Sequence, residues 1–185
     1  MAHGINELAI IRGPRIPGLG YEDLSRIPHS YLNERQLRPR TVSKILSASR
    51  VGLALSAAEG ACLASSEYLL CGLPVVSTPS RGGRDIWYDQ NNSVICEPTE
   101  ASVGAAVRHA IAELDAGRMD AHSIRRRHIE QAREHRLRFL DVTRHAFAQV
   151  GVTASPEVVF NATLINGLLP PYLSYKDVER LLGEE

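Results

Sequence analysis

The chain has 185 residues, 21 Lys+Arg against 21 Asp+Glu, a formal net charge of zero, 44% hydrophobic residues and 5% aromatic residues. A chain of this length buries roughly 70% of its unfolded surface, enough for a core without disulfide or metal staples. A neutral overall field speaks against nucleic acid or an acidic membrane surface as the default partner.

Three cysteines, Cys62, Cys71 and Cys96, make an odd set without Cys-x-x-Cys spacing. That pattern argues against a disulfide framework and a structural zinc site, and for a reducing, cytoplasmic setting. No charged segment followed by an apolar run opens the sequence, and no window approaches ~18 uninterrupted apolar residues, so neither a signal peptide nor a transmembrane segment is expected.

In chain order, Leu8-Ala9-Ile10-Ile11, stopped by Gly13-Pro14, predicts a short buried strand. Residues 12–30 carry Pro14, Pro17, Gly18, Gly20 and Pro28 and read as mostly loop. From Thr41 to Ser49, Val42, Ile45, Leu46 and Ala48 recur at helical spacing, with Pro39 just ahead. Val51 to Leu55 is an apolar strand, and Ser56-Ala57-Ala58-Glu59-Gly60 is the loop that leaves it. Residues 61–71 predict a helix carrying Leu63, Tyr68, Leu69 and Leu70, ended at Cys71-Gly72. Pro74 to Thr78 is a β-branched strand, Ser80-Arg81-Gly82-Gly83 a glycine-rich loop, Arg84 to Tyr88 a helical turn and Ser93 to Cys96 a further strand. Trp87 and Tyr88 either cover that loop or pack in the core. Strands alternating with helices predict an α/β fold: a Rossmann-like parallel sheet with right-handed crossovers and helices on both faces.

Residues 100–116 form a helix on Val103, Val107, Ala110, Ile111 and Leu114, ended by Gly117, and residues 120–149 a longer one. The second interleaves Arg125-Arg126-Arg127 with Glu130, Glu134 and Asp141, the pattern of a solvated face. Its histidines, His122, His128, His135 and His145, are expected at the surface. After Gly151 the texture changes, with Pro156, Pro170 and Pro171 and a last amphipathic segment from Tyr175 to Leu182. The expected organisation is a Rossmann-like domain over 1–150 and a helical tail over 151–185.

Residues 55–76 carry the chemistry. A strand end, a small-residue loop with Ser56 and Gly60, and a helix start at Ala61-Cys62-Leu63 gather backbone N–H groups where a helix dipole adds partial positive charge. Such a spot suits phosphate. Glu59 lies at its lip and Glu67 eight positions later, about two turns along and roughly 80° around a regular helix. One carboxylate then faces the group beyond the phosphate, and the other reaches toward a ribose, whose vicinal hydroxyls a carboxylate accepts well. The second loop, Ser80 to Asp85 with Arg81, Gly82 and Gly83, also follows a strand and is expected to close on the same ligand.

Glu59-Gly60, Glu67, Cys71-Gly72-Leu73-Pro74-Val75-Val76 and Gly82-Gly83 with Asp85 resemble the nucleotide-sugar-binding half of retaining glycosyltransferases of the GT-B fold, the group-1/family-4 class with its E-x7-E motif. The similarity runs from about Leu8 to about Ile111, with Gly13-Pro14 at the family's Gly-Pro turn. The resemblance implies one half of a GT-B fold. It places Glu59 beside the donor sugar as the catalytic residue, Glu67 on the ribose, and the Gly60 and Gly82-Gly83 loops at the sugar and diphosphate. It implies a nucleotide-sugar donor substrate, no metal, no other cofactor and retention of configuration, with helix N-termini and basic side chains stabilising the leaving diphosphate.

Two departures accompany the match. Ala61-Cys62 stands where the family has Phe-Gly, so a Cys62 side chain occupies a place of close backbone approach. The family's diphosphate-binding Arg and Lys precede the matched segment, leaving Arg12, Arg15 or Arg81 as substitutes. The acceptor-binding half is expected from a partner domain, a subunit or self-association. The alternative reading is a non-catalytic binding or interaction domain that keeps the half-fold.

Overall fold

The computed structural model describes residues 8–10, 29–32, 37–153 and 155–160. The chain divides into two compact units, Met1–His128 and Ile129–Glu185.

In the first unit, β1 (Leu8–Ile10) pairs in parallel with β2 (His29–Tyr31). The second of these strands falls at the end of the stretch read as loop; three residues are too few to display the alternation that marks a strand. The Gly13-Pro14 turn, with Arg12 and Arg15, lies outside the described residues. Helix α1 runs Pro39–Ser47. It starts two residues earlier than the apolar spacing indicates because Pro39 occupies the first turn, where its missing N–H costs nothing.

The central sheet contains β3 (Gly52–Ala54), β5 (Val75–Ser77) and β7 (Ser93–Ile95), all parallel, with β5 in the middle. Two further strands, β4 (Ala58–Glu59) and β6 (Arg81–Gly82), lie in the segments expected to be loops. Helix α2 (Leu63–Leu70) connects β3 to β5, and a 3-10 turn (Arg84–Trp87) lies between β5 and β7. Helix α3 (Glu100–Asp115) and helix α4 (Ala121–Val150) follow.

The side-chain period of two in the strands separates two cores. Ala54 and Val75 join Leu69 of α2, Met119 and Ile124 on one side, with Tyr68, Trp87 and Tyr88 packed against them. Val76 joins Ala106, Val107 and Ala110 of α3 on the other, with Leu53 and Cys96 packed alongside. The sheet is therefore covered by helices on both faces, as the alternation predicts. Burying an aliphatic side chain such as Val75, Val76 or Leu69 contributes roughly 1.5–3 kcal/mol. Helix α2 lies close to the sheet because Gly52 has no side chain: a Cβ there would fall 2.3 Å from the Tyr68 ring.

In the second unit, the continuation of α4 is followed by α5 (Pro156–Phe160), and Arg144 pairs with both Asp141 and Glu157. The segment Tyr175–Leu182 lies outside the described residues.

Candidate functional site

The loops leaving β3 and β5 are joined to each other. Strand β4 pairs in parallel with β6, Ala58 opposite Arg81 and Glu59 opposite Gly82. Arg81 N–H donates to the Ala57 carbonyl at 3.0 Å, and Gly83 N–H to the Gly60 carbonyl at 3.1 Å. Two donors of the glycine-rich loop are thus used to bind the other loop. Gly82 has φ +138°, and a Cβ there would fall 1.6 Å from the Glu59 carbonyl oxygen, so glycine alone permits this pairing. The joined loops stand beyond the carboxyl ends of adjacent parallel strands, the usual ligand position of open α/β sheets.

Beneath them lies Arg84, whose side chain is 0% exposed. Its Nη1 donates to Ser56 Oγ at 2.9 Å and its Nη2 to the Thr78 carbonyl at 2.7 Å. Its Nε stands 3.6 Å from Asp85 Oδ1, an ionic contact without a hydrogen bond. Ser56 Oγ in turn donates to Glu59 Oε1 at 2.6 Å. A guanidinium–hydroxyl–carboxylate chain therefore runs from the buried interior to the half-buried Glu59 and holds one of its oxygens in place. Thr78 Oγ1 closes the base of the arrangement by donating to the Leu55 carbonyl at 3.1 Å.

Burying a guanidinium is costly unless its donors are satisfied. The two hydrogen bonds and the Asp85 carboxylate supply that compensation. Arg84 was not among the basic residues singled out from sequence. It stands three residues after Arg81 in the same Ser-Arg-Gly-Gly-Arg-Asp run, and nothing along the chain separates the two. Arg81 is exposed, and its side chain forms no ion pair among the described residues.

Helix α2 starts at Leu63, shortly after the first of these loops. Cys62, its N-cap residue, adopts a left-handed conformation with φ 43°, and no side chain caps the helix. The first turn holds no acidic residue, and Leu63 is 78% exposed. Ser65 Oγ contacts Cys62 Sγ at 3.3 Å and Tyr88 Oη at 2.5 Å, tying the helix start to the residue after the 3-10 turn. Burial pushes the phenol pKa of Tyr88 up, and that of Tyr68 likewise, keeping both protonated at neutral pH.

Glu67 lies on the exposed surface of α2, and its carboxylate makes no hydrogen bond or ion pair among the described residues. Glu59 and Glu67 do not share one regular helix: Glu59 belongs to β4, and α2 begins only at Leu63. The angular relation expected from their eight-residue spacing therefore does not apply. Ser56, Glu59, Gly60, Arg81, Gly82 and Gly83 are brought together by the loop pairing; Ala61 and Cys62 lead from it into α2.

The cysteines Cys62, Cys71 and Cys96 are free and partly buried. Among the described residues, no group of three or more His, Cys, Asp and Glu side chains stands where it could hold a metal ion. No described helix is long and apolar enough to cross a membrane. The expectation of surface histidines fails at His128, which is 2% exposed and packs against Trp87. Ile124, one turn earlier on the same helix face, was the available signal. No protein-family model matches the chain, and no curated protein matches it.

Proposed function

We propose that the α/β unit is the nucleotide-sugar-binding domain of a retaining glycosyltransferase, with Glu59 beside the donor sugar and Glu67 at the nucleotide ribose. The observation that carries this reading is the joined pair of loops beside the uncapped start of α2, with the Glu59 carboxylate fixed through Ser56 by buried Arg84. Backbone N–H groups at Ala61, Cys62 and Leu63, together with the helix dipole, suit a diphosphate and favour its departure as an anion. Exposed Arg81 adds a cation at the rim. The donor is a substrate, and the reading takes no metal. An acceptor-binding domain, subunit or second copy completes the cleft, and the setting is cytoplasmic.

A non-catalytic binding domain with the same half-fold is favoured by two particulars. Cys62 places a side chain at the mouth of α2, and the Arg81 and Gly83 N–H groups are committed within the loop pair.

Calorimetric titration of the chain with UDP, GDP, ADP and their sugar conjugates, beside a Glu67→Ala variant, separates the two readings. On the donor-site reading one base binds and Glu67→Ala weakens it about tenfold, the equivalent of ~1.4 kcal/mol for lost charged hydrogen bonds. Failure of every nucleotide to bind gives the non-catalytic reading precedence.

A further inference from the structure

His128 lies in the second turn of α4 and is 2% exposed, whereas His122, His135 and His145 of the same helix are exposed. Its ring meets Trp87 edge to face, with centroids 4.9 Å apart and planes at 71°. Its Nδ1 is buried and has no hydrogen-bond partner among the described residues. One turn earlier Ile124 enters the cluster of Ala54, Leu69, Val75 and Met119, against which Trp87 and Tyr88 also pack. The first two turns of α4 thus meet the α/β core through an aliphatic side chain and an imidazole. A carbon side chain at both positions would make a plain apolar contact; the imidazole makes the second one titratable.

The charged groups around this contact offer an imidazolium little. On the facing turn, Asp85 is paired with Arg84, and beyond it Asp89 is paired with Arg127 Nε at 2.6 Å. On the approach to α4, the Asp120 carboxylate accepts the Ser123 N–H. On α2, Glu67 is exposed and Tyr68 is neutral; Tyr88 is neutral as well. Arg125 and Arg126, on the same helix as His128, are exposed cations. Burial accordingly holds the His128 pKa below its ordinary value.

We propose that the His128–Trp87 contact is a pH-sensitive latch: the neutral imidazole holds the first two turns of α4 against the α/β core, and protonation releases them. The step is the uptake of one proton from solvent. The released imidazole, in water, binds that proton more readily than the latched one. The latch is at full strength above about pH 6.5 and weakens as pH falls. Its opening constant rises about tenfold per pH unit until the latched form itself titrates.

Trp87 is the chain's one tryptophan, so its emission reports the latch. The intact chain is titrated from about pH 8 to about pH 5, across the range where imidazole changes charge, with emission and amide exchange followed together. The expected result is a one-proton change in emission below about pH 6.5 that His128→Phe abolishes and His122→Gln retains. Over the same range, exchange in residues 121–128, corrected for intrinsic rates, accelerates about tenfold per pH unit while α3 keeps its protection. Imidazole proton resonances of the unmodified chain give a second readout that needs no variant. There the His128 resonance titrates below the ordinary imidazole value. Unchanged emission in the folded chain, a transition that survives in His128→Phe, or a His128 resonance that titrates at the ordinary imidazole value overturns the latch.

Discussion

Helices α2 and α3 each follow a strand of the same parallel sheet, yet their amino termini are built oppositely. At α3 the Thr99 side chain accepts the Ser102 N–H at 3.2 Å, and Glu100 stands in the first turn. Local side chains satisfy that end, which is the usual arrangement for stability. At α2 the N-cap residue is Cys62 in a left-handed conformation, with neither a capping side chain nor an acidic residue in the first turn. The uncapped end is also the one beside the joined loops and Glu59. Interior resources differ in the same sense: the loop before α2 is held through Ser56 by a fully buried arginine. On the proposed donor-site reading, the acceptor at this helix start is the diphosphate of the substrate rather than a side chain of the helix.

Substitutions test this contrast, beginning with the largest effect. Arg84→Met leaves the Thr78 carbonyl, Ser56 and Asp85 without their buried partner and is expected to cost about 3 kcal/mol in urea unfolding. Arg81→Met, three residues earlier and exposed, serves as its control and stays within about 0.5 kcal/mol. Equal effects from the two would remove the distinction between the buried and the rim arginine. Thr99→Ala deletes the α3 cap and lowers stability by about 1 kcal/mol, read from the same unfolding midpoint. Cys62→Gly has the opposite sign: it relieves the left-handed strain at the α2 start and raises stability by somewhat under 1 kcal/mol, partly offset by the greater freedom of the unfolded chain. Loss of stability in Cys62→Gly would mean that the thiol contributes more through Ser65 than the backbone strain costs.

Most of the architecture was legible along the chain. The strands centred on Leu53, Val76 and Val94 and the helices that carry Leu69, Val107 and the arginine-rich run follow from local apolar spacing, which the structure reproduces with boundary shifts of one or two residues. The two glycine-bearing loops were also recognisable as neighbours at strand ends. Their direct pairing as β4 and β6 was not, because a two-residue strand has no periodicity and depends entirely on the partner opposite it. Arg84 and His128 escaped for a related reason. Arg84 looks like Arg81, and His128 looks like the other histidines of α4, until another part of the chain covers them.

The sequence by itself determined the alternation of strand and helix, the apolar stripes that fill the two faces of the sheet, and the position of the candidate carboxylates relative to small-residue loops. These depend on interactions within a few residues, or on the period of a helix or strand. Only the tertiary structure decided which arginine became the buried support of Glu59 and which histidine met Trp87. Ser56 and Arg84 are 28 positions apart in the chain, and their hydrogen bond exists only because β3 and β5 lie side by side. Burial of a charged or titratable group is a property of what covers it, and that is set by packing between distant segments.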